Sequence, residues 1–491
     1  MPGRCRRAAR ACDLLTKPPD YNTIMRKQRI GWFLLGLVLI GGIALTYLWS
    51  LPQVIEVYPA QGATSIPAGS ALRLRFSRAM QADSVETRLV TDPPSSGSFS
   101  WEENTLVFTP DQPWPSGQVV HARLEAGAQA NTFLPLPTRS DIEWSFSIGY
   151  PVLTYLYPAD APSDLYLLDP QTGEISQLTD TPGAVQDYSL NASGSLIVYN
   201  ASRGDGGSTI YLLNRLSGET QVLLECPQAL CRYPQISPDG GYLAYERTEL
   251  IDPGQPDRPQ VWLLPLEMSD SGEMLETEAP RLAGPSDHKT QQPLWSPAGL
   301  LSYYDYNRSE FVVQDTQGVE ITGFPSQTGF TGTWQPQGEY YVIPEIYTNE
   351  IADTSILTDV VQVATSHLLR YGMDGSMKDL TEVDYVEDST PAYSADGKVL
   401  AFGRKYMDIA RWTPGRQVWT MRADGSQAAA ITQEPYYNHY DLAWSPDGSR
   451  LAYIRFNKNS LIDPPELWMM NADGSGATRL VTGGYSPQWI P

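Results

Sequence analysis

Downstream of residue 150, apolar residues fall in short alternating runs, and the runs recur in a fixed order. One run ends on a turn such as Ser445-Pro446-Asp447-Gly448, and a second follows at Leu451-Ala452-Tyr453. A third, Leu467-Trp468-Met469-Met470, leads into a tight Asp473-Gly474-Ser475 turn and a short fourth run. Alternation with period two, bounded by Gly, Pro, Asn and Asp, predicts strands. Recurrence of the whole unit at roughly 40 to 60 residues predicts an array. The first-strand turns are Leu190-Asn191-Ala192-Ser193-Gly194, Ser237-Pro238-Asp239-Gly240, Ser296-Pro297-Ala298-Gly299, Gln335-Pro336-Gln337-Gly338, Ser394-Ala395-Asp396-Gly397 and Ser445-Pro446-Asp447-Gly448. They mark six units, of which the one at Gln335-Pro336-Gln337-Gly338 is the most degenerate.

The two ends of the array are incomplete in complementary ways. Val152-Leu153-Thr154-Tyr155, Leu165-Tyr166-Leu167-Leu168 and Ile175-Ser176-Gln177-Leu178 read as second, third and fourth strands without a first. Ser486-Pro487-Gln488-Trp489-Ile490 reads as a first strand alone. Joined, they make a seventh unit. Pairing both ends of an array in one sheet hides its exposed edges, so residues 151–491 are predicted to form a closed seven-bladed β-propeller. The repeat string, Ser-Pro-Asp-Gly then Leu-Ala-Tyr then Asp-Gly-Ser, resembles the WD40-like repeat of TolB-type propellers. The same repeat class occurs in propellers of prolyl-oligopeptidase-like enzymes and of oligogalacturonate lyases. TolB-type members usually have six such blades and a different N-terminal domain, so the resemblance implies the fold and no single function.

Residues 53–149 alternate too, but without the repeat. Val54-Ile55-Glu56-Val57-Tyr58, Ala71-Leu72-Arg73-Leu74-Arg75-Phe76, Thr105-Leu106-Val107-Phe108, Val119-Val120-His121-Ala122-Arg123-Leu124 and Ile142-Glu143-Trp144-Ser145-Phe146 predict a small β-sandwich. Pro59-Ala60-Gln61-Gly62-Ala63, Leu74-Arg75-Phe76-Ser77, Leu106-Val107-Phe108-Thr109-Pro110 and Pro115-Ser116-Gly117 resemble the bacterial Ig-like domain of surface-layer proteins. That resemblance implies a spacer or adhesive element.

Before the sandwich, residues 31–51 form an apolar run without charge. As a helix of about 1.5 Å per residue it would match a hydrocarbon core of about 30 Å. Trp32, Tyr47 and Trp49 stand near its ends, and Arg26, Lys27 and Arg29 flank its N-terminal side. These features predict an uncleaved anchor over 30–51, a cytosolic basic tail over 1–29 and an extracytoplasmic body in a single-pass cell-membrane protein. The whole chain is therefore expected to be all-β apart from this helix.

Charge sharpens the picture. The net charge is −22, yet residues 1–30 hold eight Lys/Arg against two Asp, so the rest carries 28 more acidic than basic residues. Such a body repels phosphate backbones, which excludes nucleic acid as a partner. Cys226 and Cys231, five residues apart outside the membrane, are candidates for a local disulfide; Cys5 and Cys12 lie on the cytosolic side.

Strand order sorts the connections by face. The Ser-Pro-Asp-Gly and Asp-Gly-Ser turns share one face and are expected to be uniformly short. The long connections, 248–259, 345–365, 405–414 and 457–465, share the other. Variable loops on a rigid scaffold carry recognition. The candidate binding residues on that face are His288, Gln291, Tyr406, Trp412, Tyr437, His439 and Tyr440. No Gly-x-Ser-x-Gly elbow occurs, and no catalytic or cofactor-binding residue is assigned. The expected function is a membrane-anchored binding or scaffold protein presenting its propeller to a protein, peptide or glycan. One alternative is a lyase-type enzyme, with His288 and His439 facing the channel mouth near Gln291 around a metal. A purely structural envelope protein is the other.

Overall fold

In a computed structural model the described residues are 51–490, apart from 134, 182, 216, 253–254, 268–277, 352–360 and 409. The predicted anchor lies, except for Leu51, outside them. Among the described residues no helix is long and apolar enough to cross a membrane.

The N-terminal module is a sandwich of a four-stranded and a three-stranded sheet. Leu72–Phe76 alternates strictly between buried and exposed side chains, as a half-buried strand must. Leu72, Leu74, Phe76, Phe108, Trp114 and Phe146 fill the space between the sheets. The buried Trp114 indole donates to Ser70 O at 2.8 Å, which satisfies its N–H. Two strands, Leu89–Asp92 and Gly97–Glu102, and the five-residue helix Ala82–Glu86 were not anticipated. Leu89–Asp92 is too short to show alternation, whereas Ser98-Phe99-Ser100-Trp101 does alternate and was passed over.

The remaining six sheets make seven blades: the eight-stranded sheet is two blades joined by one parallel rung, and blade 3 carries the extra short strand Gln255–Pro256. Blade 1 is the composite: Ile175–Gln177, Asp164–Leu168 and Val152–Tyr157 pair in order with Tyr485–Ile490. The closing ladder runs from Tyr485↔Leu156 to Ile490↔Val152. Blades 2 to 7 begin with the inner strands Val185–Leu190, Ala229–Ile236, Thr290–Trp295, Thr333–Trp334, Val386–Tyr393 and Tyr437–Trp444. The degenerate unit at Gln335-Pro336-Gln337-Gly338 is blade 5, with an inner strand of only two residues.

The repeated turn has a local cause. In blade 7 Ser445 Oγ donates to Asp447 Oδ1 at 2.6 Å and accepts from Arg450 N at 2.9 Å, while Ser449 N donates to Asp447 at 3.0 Å. Gly448 then takes φ +67°, a left-handed value that favours glycine. Blades 3 and 6 repeat the network with Ser237/Asp239 and Ser394/Asp396. One expectation fails on this face: the third-to-fourth connection of blade 3 spans 266–280 and is not a short turn.

Packing is organised by seams. Seven apolar clusters are found beyond the sandwich, and each joins two adjacent blades. Tyr155 and Leu168 of blade 1, for example, pack with Ile454 and Leu467 of blade 7. A directional bond crosses most seams. Trp295, Trp444 and Trp489 donate their indole N–H to Gln235 O, Ala392 O and Ala443 O of the preceding blade, at 2.9, 3.0 and 2.9 Å. Elsewhere the reach is shorter and a hydroxyl relays it. Trp334 donates to Ser302 Oγ, which donates to Leu294 O; Tyr188 donates to Thr154 Oγ1, which donates to Gln488 O. All five acceptors lie two residues beyond a β-bulge whose residue has positive φ: Tyr233, Gln292, Thr390, Asp441 and Ser486, at 48° to 59°. The bulge turns the strand so that its second half meets the next blade.

Cys226 and Cys231 are joined as a disulfide across the connection from blade 2 to blade 3, both fully buried.

Trp489→Phe keeps the ring packed but leaves Ala443 O without its donor. We expect a loss of about 1–3 kcal/mol, read as a lower denaturant midpoint, whereas Trp412→Phe at an exposed position should leave the midpoint in place.

Candidate functional site

The face opposite the Ser-Pro-Asp-Gly turns carries most of the long connections, and two of them are more ordered than their sequence suggests. The 345–365 segment belongs to a hairpin: Tyr340–Ile351 pairs with Val361–Gly372 without a register break from Tyr340↔Gly372 to Ile351↔Val361. In 405–414, Asp408 accepts from the N–H groups of Ala410 and Arg411 at 3.1 and 3.0 Å and from the Arg411 guanidinium at 2.7 Å. Arg411 in turn lies 4.0 Å over the Tyr406 ring.

A cavity of about 540 Å³ opens at the foot of the hairpin, between blades 5 and 6. Phe330, Ile346 and Met407 supply apolar wall; Glu387, Thr390 and Arg416 supply polar edge. Arg416 pairs with Glu387 and reaches Asn438 Oδ1 at 3.4 Å. Behind the wall Arg404 and Asp388, 2% and 0% exposed, form a bidentate pair at 2.7 and 2.6 Å. Thr381 Oγ1 donates to the same carboxylate at 2.8 Å, and Phe402 and Trp419 flank the guanidinium at 4.9 and 5.0 Å. A buried pair this fully satisfied fixes the cavity floor rigidly. Such a concave, mostly apolar site with a few polar groups suits the side chain of a partner or a small ligand.

None of the seven candidate binding residues lines this cavity, although the connections 345–365 and 405–414 supply Ile346, Ala364, Thr365 and Met407. His439 is fully buried within blade 7, so it does not face the channel opening. Its Nδ1 meets Arg416 O at 2.7 Å and its Nε2 meets Glu434 Oε2 at 3.2 Å, leaving neither nitrogen for a ligand. His288 is held by the buried Asp305 at 2.6 Å, and Gln291 donates to Glu246 at 3.3 Å. His288, Gln291 and His439 therefore each answer to a different neighbour. Among the described residues no three His, Cys, Asp or Glu side chains are grouped to hold a metal.

The aromatic candidates divide. Tyr437 stacks under Arg455 at 4.1 Å, and Tyr440 packs edge-on to Phe456. Tyr406 borders a smaller groove with Trp419, and Trp412 is 53% exposed with Lys405 at 5.1 Å. Met407 was marked only as part of the 405–414 connection, whereas Phe330 and Arg416 carried no repeat signature and were missed. So was Asp441, a bulge residue whose carboxyl is pushed up to about 6 by burial.

Glu434 shows the opposite shift. The bond from His439 and the Arg455 guanidinium hold its carboxyl down at about 2, against an ordinary 4.5. A depressed carboxylate stabilises the fold above its unfolded pKa, and that stability is lost as pH falls through the folded value. Glu434→Gln should therefore lower the unfolding midpoint at neutral pH. The gap to the natural chain should shrink as pH drops from 4.5 towards 2; a gap independent of pH would contradict this.

No curated protein matches the chain in sequence. Among solved structures, TolB from Acinetobacter baumannii is 12% identical, with 90% of this chain and 99% of that one covered and a TM-score of 0.40. A puromycin-hydrolyzing peptidase from Mycobacterium tuberculosis is 13% identical, with 87% of this chain covered and a TM-score of 0.47; the match spans 57% of its length. The β-propeller domain of the Trilobed protease from Pyrococcus furiosus is 13% identical, with 60% of this chain and 84% of that one covered and a TM-score of 0.43. For the sandwich the family is assigned from sequence: residues 50–148 match the bacterial Ig-like domain.

Proposed function

We propose that this chain is a membrane-anchored binding protein of the cell envelope, which presents the long-loop face of its propeller to a protein partner outside the cytoplasm. The observation that carries this reading is the cavity at the foot of the hairpin, ringed by exposed apolar side chains. Phe330, Ile346 and Tyr347 are 49%, 39% and 38% exposed within a short distance along two adjoining segments. Exposed apolar groups beside a concave site mark recognition surfaces. The sandwich supports the same orientation. Its Pro115 and Ser116 face Asp447, Ser449 and Trp489 across a cleft of about 360 Å³ on the turn face, which leaves the loop face uncovered. The buried Cys226–Cys231 disulfide fits an oxidising compartment, and the charge-free run 31–51 supplies the anchor.

The test uses the tagged full chain in detergent, with crosslinking in envelope extract. Replacing 347–365 by Asn-Gly retains the Ile346↔Ser366 rung and closes the hairpin with a two-residue turn. We expect the unfolding midpoint to hold and recovery of the crosslinked partner to fall by about tenfold or more. Undiminished recovery would refute the assignment of this face.

A further inference from the structure

The hairpin outruns its blade. The inner strand Thr333–Trp334 covers only Val342 and Tyr341, and the outer strand Met377–Asp379 covers only Leu369, Arg370 and Tyr371. Towards the neighbouring blade its backbone pairs through the single parallel rung Ser366↔Glu387, beside which Ser366 Oγ donates to Asp388 O at 2.7 Å and Val342 and Leu368 pack on Leu400 and Phe402. Just beyond, the loop before the inner strand seals two more positions: Gln327 N donates to Glu345 Oε1 at 2.9 Å, and Thr328 Oγ1 donates to Pro344 O at 3.3 Å. Past that point, residues 346–351 and 361–364 pair only with each other among the described residues.

A two-stranded ribbon standing alone is marginally stable in water, and exposed edges are normally blunted by Lys, Pro or bulges. The outer rungs, 346–351 and 361–364, have none of the three. Ile346, Tyr347, Thr348, Ile351, Val361 and Val363 are all residues that favour strands, and the ladder has no bulge. The hairpin and the segment leading into it carry charge of one sign, and the Arg416 guanidinium across the cavity is already paired with Glu387. From residue 309 to residue 369 the chain holds eight carboxylates and no Lys or Arg. A second copy would set one acidic ribbon against another, and an anionic glycan or lipid would be repelled in the same way.

We infer that the 346–351 edge receives an extended, cationic segment of the partner polypeptide as an added strand, with one apolar side chain of that segment in the cavity beside Phe330, Ile346 and Met407. Main-chain hydrogen bonds supply affinity in this mode, and alternate side chains supply specificity. The inference rests on the loop-face reading above and names the chemistry of what that face takes.

The probe is a labelled peptide of about ten residues alternating Val and Lys, titrated into the full chain in detergent and followed by fluorescence anisotropy. Three relatives are compared: the same peptide with Glu for Lys, and two forms N-methylated at every second amide, in either register. N-methylation keeps charge and side chains but removes the donors along one edge. Strand addition predicts binding of the Val/Lys peptide, none of the Glu peptide, and weakening by about tenfold or more in one N-methylated register only. Binding should also vanish when 347–365 is replaced by Asn-Gly. Equal binding of both N-methylated forms would overturn the inference in favour of bare charge attraction, and so would binding that survives loss of the hairpin. Hairpin-dependent self-association in sedimentation would hand the edge to a second copy and overturn it too. If envelope capture stays hairpin-dependent while both N-methylated peptides bind normally, the loop-face reading stands and strand addition falls. If capture ignores the hairpin, the loop-face reading itself falls.

Discussion

Every apolar core of the propeller is shared between two blades. Leu156 and Leu165 of blade 1 are buried by Val185 and Tyr199 of blade 2, and the same division repeats around the ring. A blade without its neighbour would expose one whole face, so the ring is stable only when each seam is filled, including the one between the last blade and the first. The antiparallel ladder between Tyr485–Ile490 and Val152–Tyr157 is what makes that last seam possible. Tyr188, Thr154 and Gln488 then tie the composite blade onward to blade 2, and Trp489 ties it back to blade 7.

The sequence revealed the parts of the fold whose causes are local. The Ser-Pro-Asp-Gly network closes within six residues, so each turn announces itself wherever it stands. Closure was legible too, because the missing strand at one end matched the spare strand at the other. What escaped is set by contacts distant along the chain. Phe330 and Met407 line one cavity from two blades; 405–414 was marked as a long connection, but nothing near Phe330 in sequence marks it. The 345–365 segment lacks turn residues at regular spacing, so it looked like an irregular loop; its β-branched content was the available sign of a hairpin. The run from 436 to 440 looked like one aromatic patch, but strand alternation splits it. Tyr436 goes to solvent and His439 inward, where Glu434 and Arg416 claim both of its nitrogens.

Rigidity and openness meet at the foot of the hairpin. The Arg404–Asp388 pair, held by Thr381 and flanked by two aromatic rings, allows the cavity floor little movement. Directly above it the chain leaves a ribbon whose outer rungs depend on each other alone. A stiff base under a yielding rim suits a surface that must select a partner without deforming the ring, since ordering is confined to the rim.

The bulges of the inner strands have a consequence for how such a ring can diverge. Each one cuts its strand in two, and the carbonyl that holds the next blade always lies on the far side of the cut. The near half, which borders the loop face, takes no part in that bond. Substitutions at those of its positions that make no bond to a neighbouring blade change what the channel mouth displays while leaving these bonds in place. The same closed ring can therefore be handed from one partner to another over generations while its seams stay as they are.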